Sequence, residues 1–328
     1  CYTHYETPVY LFSGALQYLF DCEGNTYLDC VNNVSQWGHT HPLIVEAIQN
    51  QVAQLNTNSR YIYNQIGEYA EKLVSSLPHQ LDTVFFVNSG SEANDLAIRL
   101  ARTFTGNLDV VVIDQAYHGN STLCTDISPQ RIDFKGGPGL PDFVHKIALP
   151  DQYRGPYTYT DDNAGLKYGM EVSSIIESIS IQGKAAACFI AESLIGTGGQ
   201  YVLPENYLKT VYKHIRKAGG LCIADEVQVG FARTGDNFWC FKSQGVIPDI
   251  VTMGKPIGNG HPLAAVITSK EIADAFYNSV SYFNTFGGNP VSCAAGLAVL
   301  NVLEQENIQI NCKNMSSIFF NQLSQLQQ

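Results

Sequence analysis

The sequence has no apolar run long enough to cross a membrane, since none reaches the roughly 18–20 residues that a spanning helix needs. It also has few charged residues, with 19 basic and 30 acidic side chains among its 328 residues. The net charge of −11 disfavours nucleic acid or an anionic membrane surface as the main partner. We therefore expect no nucleic-acid partner and no membrane partner.

Closely spaced cysteine pairs are missing as well. None of the nine cysteines forms a C-x-x-C pair, and several, such as Cys188 and Cys222, lie inside apolar strand-like runs. This pattern is typical of reduced, buried cysteines in an intracellular protein. The chain begins at Cys1, and no signal peptide is visible. These features predict an intracellular protein, either cytoplasmic or mitochondrial.

Several signatures of catalysis and ligand binding are absent too. The sequence contains no Gly-x-Ser-x-Gly element of a hydrolase, and neither of the glycine-rich phosphate loops of nucleotide-binding proteins. His39 and His41 resemble a metal-binding pair, but no Cys, Asp or Glu stands near them at ligand spacing. We expect no metal site.

What the sequence does contain is an alternation of helical and strand patterns from residue 67 onward. Such alternation predicts an α/β fold with a mostly parallel, buried sheet between helices. Before it, three short strand signals and a turn at residues 21–25 predict a small hairpin or meander, followed by a helix. The predicted strands are 9–12, 17–20, 26–29, 83–87, 109–114, 185–192, 221–225, 250–253 and 263–268, and the predicted helices are 43–55, 67–76, 91–104, 169–180, 205–218, 270–277 and 290–305.

The organisation into domains follows from the same pattern. We expect residues 1–45 to form the N-terminal part of a small domain, and residues 46–290 to form a large domain interrupted by a Gly-, Pro- and Asp-rich excursion at 119–168. Residues 291–328 are expected to begin a C-terminal domain that is truncated in this sequence.

Lys255 is an unusual lysine, because it follows the apolar strand 250–253 at once and precedes Pro256, Gly258 and Gly260. These three residues predict a tight loop rather than a helix. A lysine at the end of a buried strand is partly desolvated, which lowers its pKa towards the range where the amine is nucleophilic. The alternative is an ordinary surface lysine after a strand.

Other strand ends carry polar or small residues, and in a parallel sheet these ends face one ligand site. Asp225 ends a buried strand, so its carboxylate needs donors or a cation. It is either half of a structural ion pair or a partner for a protonated heterocyclic nitrogen. Asn88–Asn94 runs from a strand into a helix, where Gly90 and Ser91 suit a phosphate, unless Ser91 is a plain N-cap. His118 is expected to pack or hydrogen-bond rather than to act as a general base.

A nucleophilic lysine, a buried aspartate and a phosphate-binding helix start are the three groups that pyridoxal phosphate requires. The motifs that carry them are Asn88-Ser-Gly-Ser-Glu-Ala-Asn94, Tyr117-His-Gly119, Asp225-Glu-Val-Gln-Val-Gly-Phe231, Gly254-Lys255 and Asn284-Thr-Phe-Gly-Gly-Asn-Pro290. In order and over nearly the whole chain, these motifs resemble those of the class III aminotransferases. This resemblance implies a fold-type-I pyridoxal-phosphate enzyme that acts as a homodimer on a small-molecule amine.

The resemblance also implies roles for single residues. Lys255 would be the Schiff-base lysine and proton shuttle, and Asp225 would keep the pyridine nitrogen protonated. Thr285 would reach the phosphate in the neighbouring subunit, so active sites would lie at a dimer interface. Glu192 would be a pocket carboxylate that pairs with an arginine of the C-terminal domain. The implied cofactor-binding set is Ser89, Gly90, Ser91, Tyr117, His118, Glu192, Asp225, Val227, Gln228, Lys255 and Thr285.

Within the family, the sequence is most similar in its motifs to ethanolamine-phosphate and hydroxylysine-phosphate phospho-lyases, for example at Leu55–Arg60 and Gly254–Pro262. Many ω-aminotransferases carry an arginine for a substrate carboxylate where this chain has Asn120. A substrate that ends in phosphate does not need that arginine. Arg60 and Arg154 are the candidates for the phosphate, and the alternative for each is a surface or structural arginine. The implied substrate-binding residues are Tyr63, Arg60, Asn120 and Glu192.

These observations favour a phospho-lyase that eliminates phosphate from a phosphorylated amino alcohol. Two alternatives stay open. The first is a transaminase that moves an amino group from an ω-amine or amino acid to a keto acid such as pyruvate, glyoxylate or 2-oxoglutarate. The second is a non-catalytic homologue that serves as a binding protein, against which the intact Lys255 and Asp225 argue.

Overall fold

The computed structural model describes residues 5–327, so Cys1 lies outside the described residues. In this part of the chain the strands are β1 (Leu11–Ala15), β2 (Tyr18–Asp21), β3 (Thr26–Leu28), β4 (Thr83–Val87), β5 (Asp109–Ile113), β6 (Val144–Ile147), β7 (Ala186–Glu192), β8 (Leu221–Asp225), β9 (Ile250–Met253) and β10 (Ala264–Thr268). The α-helices are α1 (Pro42–Gln54), α2 (Asn64–Ser75), α3 (Gly90–Thr105), α4 (Thr122–Asp126), α5 (Pro129–Ile132), α6 (Ala164–Ile181), α7 (Tyr207–Lys217), α8 (Lys270–Ser279), α9 (Pro290–Gln305) and α10 (Ile308–Leu326).

A seven-stranded sheet in the order β4-β10-β9-β8-β7-β5-β6 forms the centre of the described residues. The strands β9, β8, β7, β5 and β6 pair in parallel, and β10 runs antiparallel to both of its neighbours. The predicted α/β fold with a mostly parallel sheet is therefore confirmed. The core strands β5, β7, β8, β9 and β10 are buried along their whole length, as expected for a sheet covered on both faces.

Helices cover both faces of this sheet. On one face α3 and α8 pack against alternate residues of the strands, such as Ile223, Ile250 and Val266. On the other face α6 and α7 cover residues such as Phe189 and Cys222, while α2 and α9 cover the neighbouring strands. The side chains that line the α3 face at the carboxyl ends of the strands are thus enclosed between the sheet and one helix.

The excursion at 119–168 contains structure that the sequence pattern did not predict. It holds α4, α5 and the edge strand β6, whose four residues Val-His-Lys-Ile are too few to show a period. Helix α6 begins at Ala164, five residues before the predicted start at 169. Gly165 obscured this first turn, because glycine disfavours helices. A Cβ at Gly165 would lie 1.9 Å from the Glu205 carbonyl oxygen, so the close approach of these segments requires glycine.

The N-terminal strands β1, β2 and β3 form a separate antiparallel meander, which confirms the predicted one. Helix α10 has no buried side chain. No helix within residues 5–327 has the length and apolar character of a membrane span. Cys188 and Cys222 are buried and free, as their apolar surroundings predict.

Candidate active site

Three polar side chains form a row across the carboxyl ends of three parallel strands. Glu192 of β7 is paired in register with Asp225 of β8, which is paired with Thr252 of β9. Residues in register point to the same face of a sheet, and here that face is covered by α3. Lys255 follows three residues after Thr252, so it joins the row at the same edge.

A cavity of about 130 Å³ opens at this edge. Nine of the predicted site residues line it, and they come from five separate segments of the chain. The structure adds Asn94, Gly119 and Thr197, of which Asn94 and Gly119 belong to motifs already noted, whereas Thr197 had no signal in the sequence. The predicted residues that line the cavity are Gly90, Ser91, Tyr117, His118, Glu192, Asp225, Val227, Gln228 and Lys255.

Lys255 is half-buried, and its Nζ lies 2.9 Å from Gln228 Oε1. Burial lowers the pKa of the Lys255 amine, which favours the neutral, nucleophilic form, although nearby Asp225 and Glu192 act in the opposite direction. The backbone at Lys255 has a φ of 40°, a left-handed conformation that is uncommon for a residue with a Cβ. Lys255–Gly258 form a single 3₁₀ turn rather than a loop without helical structure, so that part of the prediction was wrong. The Pro and Gly residues do prevent a longer helix.

Asp225 is buried and held by donors on both carboxylate oxygens. Its Oδ2 accepts from Asn94 Nδ2 at 2.8 Å and lies 2.7 Å from His118 Nδ1, and its Oδ1 accepts from the Val227 amide at 3.1 Å. His118 therefore serves as a hydrogen-bonding residue, as expected. Its contact with Asp225 is an ion pair only when the imidazole is protonated.

Glu192 is 4% exposed, and burial raises the pKa of its carboxyl group to about 7. The negative charge of Asp225 adds to this increase in pKa, while His118, Lys255 and the amide of Thr197 oppose it. The Thr197 amide donates to Glu192 Oε2 at 3.4 Å. Near neutral pH the group is therefore divided between its neutral and ionised forms.

The start of α3 forms the candidate phosphate site. Ser89 is the N-cap residue, since its Oγ accepts from the Glu92 amide at 3.2 Å. The alternative prediction of Ser91 as a plain N-cap was therefore wrong, because the helix begins at residue 90 and not at the predicted residue 91. Ser91 Oγ instead donates to Asn120 Oδ1 at 3.0 Å and accepts from the Asn120 amide at 3.1 Å.

Gly90 and Gly119 keep the candidate phosphate site free of side-chain atoms. A Cβ at Gly90 would lie 2.7 Å from Val227 Cγ1, and a Cβ at Gly119 would lie 2.5 Å from Ser91 Oγ. Gly119 also has a φ of 133°, which side chains with a Cβ rarely adopt. Backbone can thus approach a ligand closely on both sides of the α3 N-terminus.

Some predicted residues lie outside this cavity. Ser89 and Asn120 line an adjacent cavity of about 440 Å³, together with Asn284. Thr285 is exposed, next to that cavity, and its carbonyl oxygen accepts from the Ser59 amide at 3.2 Å. Tyr63 packs near α9, with its hydroxyl 3.5 Å from Cys293 Sγ.

The two candidate arginines are also outside it. The Arg60 guanidinium lies 5.2 Å from the centre of the Phe283 ring, and Arg154 is exposed and lies 4.8 Å from the Tyr153 ring. Among residues 5–327, no cluster of three or more metal-ligating side chains is present. His39 and His41 contact Asp29 and Glu306, two different carboxylates.

The donor set of the cavity suits pyridoxal phosphate. A fixed carboxylate, an amine with a lowered pKa and free amides at a helix start stand around one space. Tyr117 has one ring face against the Arg131 guanidinium at 4.8 Å, and its ring also lines the cavity. His118 Nε2 is a buried nitrogen that has no partner among the described residues, which is consistent with a site completed by a ligand.

Comparison with known proteins agrees with this chemistry. A protein from Drosophila melanogaster named alanine–glyoxylate aminotransferase 2-like is 46% identical over 98% of this chain and 66% of its own length. The ethanolamine-phosphate phospho-lyase homolog 1 of Caenorhabditis elegans is 44% identical over 96% of this chain and 70% of its own length. The chain thus spans about two thirds of the length of the curated relatives it matches.

Comparison with solved structures points to the same group of enzymes. The structure of a phospholyase from Arthrobacter in complex with phosphoethanolamine superimposes with a TM-score of 0.93 and 39% identity, covering 99% of this chain and 76% of that chain. This confirms the predicted fold-type-I architecture. The family model for class III aminotransferases matches residues 4–328. The chain therefore belongs to the class III aminotransferase family of pyridoxal-phosphate enzymes, as its ordered motifs predict.

Proposed function

We propose that this chain binds pyridoxal phosphate in the cavity at Lys255 and acts as a phospho-lyase on a phosphorylated amino alcohol such as ethanolamine phosphate. The main observation in favour of this substrate is Asn120, whose neutral side chain is hydrogen-bonded to Ser91 beside the candidate phosphate site. A substrate carboxylate would meet no guanidinium at this position. The similarity to the Arthrobacter phospholyase supports the same class of substrate.

When bound, pyridoxal phosphate supplies an electron-accepting ring. Asp225 would hold a proton at the ring nitrogen, because its carboxylate is fixed by three donors. The neutral amine of Lys255 would take a proton from the substrate carbon that bears the amino group. Gln228, already bonded to Lys255 at 2.9 Å, would orient the amine and bond the ring hydroxyl.

The remaining predicted residues would bind and enclose the cofactor. The amides of Gly90 and Ser91 at the α3 N-terminus would bind its phosphate, with Ser89 fixing that helix start. Tyr117 would stack on one ring face, and Val227 would pack beside the ring. His118 would act through Asp225, while Glu192 would stay near the substrate.

The overall reaction adds water to ethanolamine phosphate and gives acetaldehyde, ammonia and inorganic phosphate. The test is to incubate the protein and pyridoxal phosphate with phosphoethanolamine and no keto acid. Release of inorganic phosphate and acetaldehyde in equal amounts is expected. A strict requirement for a keto acid would refute the lyase assignment. Loss of activity in Asp225→Ala, by several orders of magnitude, checks the role of the carboxylate.

A transaminase is the second candidate, and the similarity to the Drosophila relative favours it. It would use the same Lys255 and Asp225, with pyruvate, glyoxylate or 2-oxoglutarate as amino acceptor. The two reactions differ in their second substrate. Formation of an amino acid from the keto acid, with no phosphate release from phosphoethanolamine, would establish this alternative.

We also propose that the chain acts as a homodimer in which Thr285 contributes to the partner's phosphate site. The exposed Thr285 stands in sequence between Phe283 at 53% and Phe286 at 59% exposure, and its carbonyl oxygen accepts from Ser59, three residues before Ile62 at 98% exposure. Such a patch is typical of a protein interface. Light scattering coupled to gel filtration should give twice the chain mass, and a monomer would contradict the proposal.

Three further assignments belong to this proposal. Residues 1–45 would form part of a small domain with residues from 291 onward, and residues 46–290 the large domain. Tyr63, Arg60 and Arg154 would approach the substrate in the complete active unit. The protein would act inside the cell, in the cytosol or the mitochondrion.

A further inference from the structure

Strand β9 carries one polar side chain, Thr252, in the run Ile-Val-Thr-Met. The residue is 0% exposed, and its Oγ1 donates to Asn94 Oδ1 at 2.7 Å. Valine has nearly the same shape and would fill this place without burying a hydroxyl group. A buried hydroxyl is unfavourable unless it is hydrogen-bonded, so the bond to Asn94 is the feature that distinguishes threonine here.

The chemistry of its neighbours fixes the Asn94 amide in one orientation. Asn94 Nδ2 lies 2.8 Å from Asp225 Oδ2 and 2.8 Å from the His118 carbonyl oxygen. Both partners only accept hydrogen bonds when the carboxylate is ionised, so the nitrogen must face them. The amide oxygen consequently faces Thr252 and needs its hydroxyl as a donor.

The chain of bonds ends at the carboxylate that we assign to the ring nitrogen. Asn94 and His118 both hold Oδ2 of Asp225, while the Val227 amide holds Oδ1. These bonds define the plane of the carboxylate in a buried site. Loss of the Thr252 hydroxyl leaves the Asn94 oxygen unpaired, so the amide can rotate and release one of the two donors on Oδ2.

We infer that Thr252 and Asn94 are positioning residues that orient the Asp225 carboxylate towards the ring nitrogen of the cofactor. This inference rests on the proposed function, because Asp225 must meet that nitrogen for the orientation to matter. Neither residue needs to contact the substrate. Thr252 would act through two successive hydrogen bonds, and its effect should be confined to ligands that carry a ring nitrogen.

The test compares binding of two ligands to the cofactor-free protein. One is pyridoxal phosphate, and the other is its deaza analogue, in which a carbon replaces the ring nitrogen. Thr252→Val should weaken binding of pyridoxal phosphate by roughly five- to tenfold, the usual effect of losing one buried hydrogen bond, and leave binding of the analogue unchanged. Protein fluorescence measures both affinities without any turnover.

Two variants serve as controls. Thr252→Ser keeps the hydroxyl and should behave as the wild type. Thr268→Val removes another buried hydroxyl from the same sheet, one that donates to the Asp249 carbonyl oxygen at 2.9 Å, and should leave both affinities unchanged. Thr252→Ala provides a second hydroxyl-free variant if valine does not allow folding.

The outcomes separate this inference from the proposed function. If Thr252→Val weakens binding of both ligands equally, Thr252 has only a structural role. If it weakens binding of neither ligand, Thr252 has no role in cofactor binding. Either result overturns the inference. If the wild type binds the two ligands equally well, Asp225 does not act on the ring nitrogen. In that case the role proposed for Asp225 fails, and the inference fails with it.

Discussion

Glu192→Gln should change how the stability of the cofactor-free protein depends on pH. Glu192 is buried beside Asp225, and its pKa rises from an ordinary 4.5 to about 7 because burial penalises the charged carboxylate. Glutamine has nearly the same shape and can still accept the hydrogen bond from the Thr197 amide. The substitution therefore removes the titration of this group and keeps most of its packing.

The sign follows from proton binding. Between pH 4.5 and about 7 the folded protein holds a proton on Glu192 that the unfolded chain has released. Raising the pH through this window therefore lowers the free energy of unfolding of the wild type. Above it both states are ionised, and the loss is complete. A shift of this size corresponds to roughly 3 kcal/mol.

Urea unfolding of the cofactor-free wild type and of Glu192→Gln between pH 4.5 and 8.5, a range set roughly by the two pKa values, measures this effect. The wild type minus variant difference in unfolding free energy should fall by roughly 3 kcal/mol with rising pH. Glu226, whose pKa burial also raises to about 7, is present in both proteins and cancels in the difference. Glu205→Gln, at an exposed position, is the control and should give a flat difference. A flat difference for Glu192→Gln as well would refute the reasoning.

Further substitutions test other parts of the site. Lys255→Met should lower the rate of phosphate release from phosphoethanolamine by a factor on the order of 10³ or more. It should not lower the thermal stability, because it removes an amine whose burial is unfavourable. Retained turnover would exclude Lys255 as the base. Gly90→Ala should lower the free energy of unfolding by about 1–3 kcal/mol through the contact with Val227, and Val227→Ala in the same chain should restore it in urea unfolding. Ser89→Ala should cost about 1 kcal/mol by the same measurement through loss of the α3 cap, whereas Ser89→Asp should cost little.

Much of the central sheet was predictable because its strands are short apolar runs with clear ends. The strands 83–87, 221–225 and 250–253 were predicted with their observed bounds. Strand ends in a parallel sheet meet at one edge, so the presence of Asp225 and Lys255 in one cavity also followed from the sequence. Local pattern and the topology of α/β folds were sufficient for this part.

Other features depend on contacts between distant segments, which no local pattern records. Ser91 bonds Asn120, 29 residues away, and Thr197 reaches the cavity from a loop without a motif. Thr252 looked like one more strand residue, because threonine is common in strands. Its bond to Asn94 spans 158 positions of the sequence and becomes visible only when α3 lies against β9.

The pairing of the strands links these predictable and unpredictable features. Glu192, Asp225 and Thr252 share one row because β7, β8 and β9 are paired in register at these residues. A shift of one residue in β9 would turn Thr252 away from α3 and place Val251 or Met253 against the Asn94 amide. It would also move Lys255 relative to Asp225. Ile223 and Ile250 are paired two positions earlier and pack into the core on the same face. They oppose such a shift, because it would turn Ile250 to the opposite face of the sheet. The hydrophobic core therefore positions the catalytic groups: the packing that stabilises the sheet also sets the distance between the carboxylate and the amine.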